Sequence, residues 1–93
     1  MALRFSWDPQ KAAANLRKHG VLFADAATAF GDPLSITIPD PDHSADEERF
    51  LLVGLTATGR LVVVAHSERG NDIRLISARE ATRRERESYE EGK

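Results

Sequence analysis

Between positions 60 and 86 the chain carries seven arginines, four acids and no lysine. Five of those arginines, Arg74, Arg79, Arg83, Arg84 and Arg86, fall within thirteen positions. A guanidinium presents a planar fork of donors suited to phosphate or carboxylate, whereas a merely solubilising surface usually mixes in lysine. The segment therefore reads as an edge built for an anion, on a chain whose formal net charge is −2. Charge is divided along the sequence: residues 1–47 hold a net −3 and residues 60–86 a net +3.

Proton transfer needs other groups, and the three histidines are the first to consider. His66 stands near the end of a strand pattern, just before a turn, where a side chain reaches either a cleft or a backbone partner in the core. His19 suits the negative end of a helix, and His43 lies in an acidic loop. Arg74 alternates with Ile73 and Leu75, so it projects from the other sheet face, which the same alternation gives to Ile76 and Ala78. An arginine held there calls for a carboxylate or phosphate partner. Arg79, Arg83 and Arg86 follow at i, i+4 and i+7, a stripe on one helix face. Glu80, Glu85, Glu87 and Glu90 offer the alternative of an ordinary charged helix surface. Arg79 differs by its place at a strand-to-helix junction, and Arg49 opens a long strand after the acidic loop.

The elements that must position these residues follow from local pattern. "RFSW" is a short strand with Phe5 and Trp7 on one face. In "WDPQKAAANLRKHG", Asp8 caps a helix, Pro9 fits its first turn and Gly20 ends it. A second helix lies in "VLFADAATAFGDP", where Phe23, Ala26, Ala27 and Phe30 form one apolar stripe. From Leu34 the period becomes two, through Ile36 and Ile38. "RFLLVGLT", "RLVVVAHSE" and "IRLIS" are three strands joined by tight turns, hence antiparallel neighbours. Ser77 followed by Glu80 makes a capping box, so a last helix is expected from about Ala78 to Glu91. The order β-α-α-β-β-β-β-α predicts an α+β domain, with helices against one face of a small antiparallel sheet.

Bulk properties narrow the function classes. Ninety-three residues, 41% hydrophobic and 30% charged, describe a single folded domain spanning 1–93. Without cysteine there is no disulfide framework, thiolate metal site or thiol nucleophile. "DPDHSADEE" gathers acids and a histidine but lacks the register of a calcium-binding loop. No glycine-rich phosphate loop is present, and neither metal nor cofactor is expected. The lack of a signal peptide or membrane span makes the cytoplasm the default location.

Three stretches, "KHGVLF", "VAHSERG" and "IRLISAREATRRERESY", resemble the BrnT family of ribonuclease toxins, and the likeness extends over nearly the whole chain. The resemblance implies a RelE-like fold, RNA cleavage without metal, and neutralisation by a BrnA-type antitoxin encoded alongside. RNA cleavage by 2′-hydroxyl attack needs a base, cations for the charged phosphorane and an acid for the 5′-oxygen. On that reading His66, Arg74, Arg79 and Arg49 carry catalysis in one cleft. Lys18, His19, Arg69 and Arg83 then bind substrate. DNA is expected to be contacted only through the antitoxin, since neither N-terminal helix suits a major groove. A non-catalytic binding module acting as co-repressor with a DNA-binding partner is the alternative, favoured by the scarcity of acid–base groups.

Overall fold

The computed structural model describes residues 2–41 and 48–92. Its elements follow the expected order: β1 (Arg4–Ser6), α1 (Pro9–His19), α2 (Phe23–Thr28), a 3-10 turn (Ala29–Gly31), β2 (Ile36–Pro39), β3 (Arg49–Leu55), β4 (Leu61–Arg69), β5 (Asp72–Glu80) and α3 (Arg83–Glu91). Five strands form one sheet in the order β1-β5-β4-β3-β2. The expectation of a wholly antiparallel sheet fails at one edge. There β1 runs parallel to β5, pairing Arg4 with Asp72 and Ser6 with Arg74. The crossover from β1 through the helices and three strands returns the chain to that edge in the same direction.

Alternation along β4 and β5 assigns residues to two faces. Val62, Val64 and His66 of β4 share one face with Ile73, Leu75 and Ala78 of β5. On this face α1 and α2 pack, and Val21, Phe23, Ala26 and Ala29 complete the core. Gly54 is required here, because a Cβ on it would stand 3.0 Å from the Ala29 carbonyl oxygen. Asp8 caps α1 by accepting from the Gln10 amide at 2.8 Å, and Gly20 ends it at φ 69°.

The last helix departs from expectation twice. β5 extends to Glu80, past the expected helix start, and the capping box is Thr82 with Glu85 rather than Ser77 with Glu80. α3 also packs on the opposite sheet face from α1 and α2, against Leu51, Val53 and Val63. Its anchor is Tyr89, buried, whose hydroxyl donates to Asp32 Oδ2 at 2.6 Å. The Asp32 carboxylate also accepts from the Leu34 and Leu55 amides at 2.9 and 2.8 Å. One carboxylate thus ties together the turn before β2, the end of β3 and α3.

Candidate functional site

Beyond the reach of α3, the β4–β5 hairpin and its neighbours enclose a polar cavity of about 820 Å³. Ser67 of β4 and Arg74 of β5 face each other across the ladder, and Ser6 of β1 pairs with Arg74 on its other side. Arg69, Gly70 and three acids, Glu48, Glu68 and Asp72, complete the wall. Asp72 is held by Arg4 Nε at 2.7 Å, both side chains being largely exposed. Arg74 and Arg69 are exposed, and Arg49 stands opposite Ser67 at the start of β3. Two hydroxyls and at least two guanidinium groups therefore converge on one open end of the sheet, an arrangement able to hold a phosphate.

The single cleft expected to hold His66, Arg74 and Arg79 is not formed. His66 pairs with Leu75 and Arg74 with Ser67, so the two side chains leave the sheet on opposite faces. The His66 side chain is fully buried. Its ring lies edge-on to Phe30 at 4.8 Å and stacks on Phe50 at 5.9 Å. Nδ1 lies 3.1 Å from the Val64 carbonyl oxygen and Nε2 2.9 Å from Glu68 Oε2. With both nitrogens engaged and an aromatic wall around it, the ring occupies the backbone-bonded core position that was the alternative to a cleft. Expected catalytic contact with substrate does not fit that place.

Arg79 does share the open face, opposite Val63, but it is occupied. Its guanidinium makes a bidentate pair with Glu85, at 2.7 and 2.8 Å. Hydrogen bonding to Glu85 raises the Arg79 pKa above its usual value, and hydrogen bonding to Arg79 lowers that of Glu85 to about 2. Because Arg79 lies in β5, it shares no helix stripe with Arg83 and Arg86. Arg83 is exposed and only loosely approaches Glu87, at 3.9 Å. Lys18 and His19 do not line the arginine cavity but border a shallow hollow of about 230 Å³ that α1 makes with Ile76 and Ser77 of β5. His43 falls in residues 42–47, outside those described.

Sequence reasoning missed Glu48, Ser67 and Asn15. Glu48 looked like the tail of an acidic loop, and Ser67 like an ordinary residue at the end of a strand. Only the register across three strands brings them to Arg74. Asn15 sits in an alanine-rich helix with nothing to mark it.

A family model described as "Ribonuclease toxin, BrnT, of type II toxin-antitoxin system" matches residues 7–85. The chain belongs to this BrnT family. The crystal structure of the Brucella abortus ribonuclease toxin BrnT superimposes with a TM-score of 0.68 at 25% sequence identity. That match covers 88% of this chain and 100% of the Brucella chain. No curated protein matches the sequence. Membership of a type II toxin–antitoxin family implies an antitoxin partner and supports ribonuclease activity at the level of the family. No helix among the described residues is long and apolar enough to cross a membrane.

Proposed function

We propose that this BrnT-family protein is a cytoplasmic endoribonuclease that cleaves RNA without a metal ion and is neutralised by a BrnA-type antitoxin. The observation that carries this reading is the polar cavity at the open sheet end, with Arg69 and Arg74 beside Ser6 and Ser67. In this cavity the 2′-oxygen attacks the adjacent phosphorus, the new P–O bond forms, and the bond to the 5′-oxygen breaks. Arg74 and Arg69 neutralise the charge that develops on the phosphorane, and Arg49 stands at the rim. With His66 walled in, Glu68 bonded to it and Asp72 held by Arg4, the Glu48 carboxylate accepts the 2′ proton, while the 5′-oxygen takes its proton from water. Lys18 and His19 extend the track for the RNA backbone around the β5 edge. Contact with DNA comes only through the antitoxin.

One observation favours a second reading. Among the described residues neither histidine lies in the arginine cavity, which suits a non-catalytic co-repressor as well as an enzyme. Purified protein incubated with single-stranded RNA in EDTA separates the two. The expected result is cleavage that Arg74→Ala slows by about 10²-fold. RNA left intact by a large excess of folded protein overturns the enzyme reading in favour of the binding module.

A further inference from the structure

The face that carries Arg74 has a second, apolar half. Ile36 and Ile38 of β2 lie across from Val53 and Leu51 of β3, and α3 covers them incompletely. What remains is a groove of about 380 Å³ with α3 along one side, where Arg84 and Ser88 form the lip. Ile38 is 47% exposed at the edge strand of the sheet. We infer that this groove seats an apolar, acid-flanked segment of the antitoxin, so that neutralisation is anchored beside the RNA site rather than on its arginines alone. The inference deepens the toxin reading and rests on it.

Charge decides the occupant. Glu85, the acid on the groove wall, is engaged by Arg79, so Arg84 is left as the exposed charge of the lip. Past the groove, the same face offers Arg74 and Arg69. A segment with apolar anchors and flanking carboxylates meets both halves at once. RNA finds only Arg84 in the apolar half for its phosphates. A second copy in a two-fold contact presents only this same face, with Arg84 on its lip, and no acid-flanked apolar segment to enter the groove.

The test uses the full-length protein and the product of its neighbouring gene as antitoxin. Ile38→Glu places a charge in the groove, and Ser88→Trp fills it from an exposed helix position. Each is expected to weaken antitoxin binding by at least about tenfold, as loss of a buried anchor does. The unfolding midpoint and the rate of RNA cleavage stay unchanged. Unaltered affinity in both variants overturns the inference, as does a wild type that cuts RNA without binding that product. A wild-type dimer that Ser88→Trp dissociates, with antitoxin affinity intact, also overturns it in favour of self-association. Weakened antitoxin binding by a protein that leaves RNA whole upholds the groove while removing the ribonuclease reading.

Discussion

The side-chain amide of Asn15 stands where a further strand would pair with β5. β1 covers that strand only as far as Arg74, yet β5 continues to Glu80. At Ala78 the exposed ladder is closed by Asn15, which donates to the Ala78 carbonyl at 2.8 Å and accepts from its amide at 3.0 Å. A third bond reaches the Val21 carbonyl, 3.0 Å away, just beyond the end of α1. Asn15 is 6% exposed, so none of these backbone groups can turn to water instead. Asn15→Leu keeps the bulk but orphans a donor and two acceptors, and is expected to lower stability by about 3 kcal/mol. Urea unfolding measures it, and a loss below the error of the method sinks this account. The same edge shows why single residues were hard to place from sequence. A register shift between Ala65 and His66 leaves Ile76 unpaired and moves Ala78 to the core face. Simple alternation had given Ala78 to the face of Arg74. Bulges leave the residue types unchanged, so period-two reading carries no sign of them.

At the scale of elements, the strands and the first two helices were legible because each declares itself locally, by a cap, a stop or an alternation. α3 was legible as a helix but not in its start or its face. Two capping boxes compete, Ser77 with Glu80 and Thr82 with Glu85, and pairing of β5 with β4 as far as Glu80 removes the first. Glu85 then serves the helix twice, accepting from the Thr82 amide at 2.8 Å and from Arg79. Its carboxyl titrates at about 2 in the fold against an ordinary 4.5, so folding favours the ionised form. The contribution is complete above pH 4.5 and disappears as pH falls towards 2. Because the pair is partly exposed, we expect Glu85→Gln to cost only about 1 kcal/mol at pH 7. Urea titrations of the two proteins at pH 7, 4 and 2.5 should converge as acid is added. A difference that stays constant across the series removes the clamp from the account of α3.

At the scale of the molecule, the sheet separates two tasks. One face is sealed by α1 and α2 and holds His66, while the other, covered only in part by α3, holds the cations. The arginine-only segment announced an anion site in the sequence, but sequence spacing could not say which arginines remain available. The fold engages Arg60 with Glu80 and Arg79 with Glu85, and it sends Arg83 to the outer surface of α3. Two arginines, Arg69 and Arg74, line the proposed cavity, on a protein that is acidic overall. That small number sets the salt dependence of RNA binding. Each phosphate neutralised on a single strand contributes about −0.7 to the slope of log K against log salt, so the two together give about −1.4. Binding of a 2′-O-methyl RNA, which cannot be cut, measures the slope directly from 50 to 300 mM salt. Arg74→Ala should reduce it by about 0.7, whereas Arg83→Ala, outside the cavity, should leave it alone. A steeper wild-type slope that falls equally in both variants would mean that RNA reads the whole arginine segment as a diffuse charge, and the bounded cavity would lose its claim to the substrate.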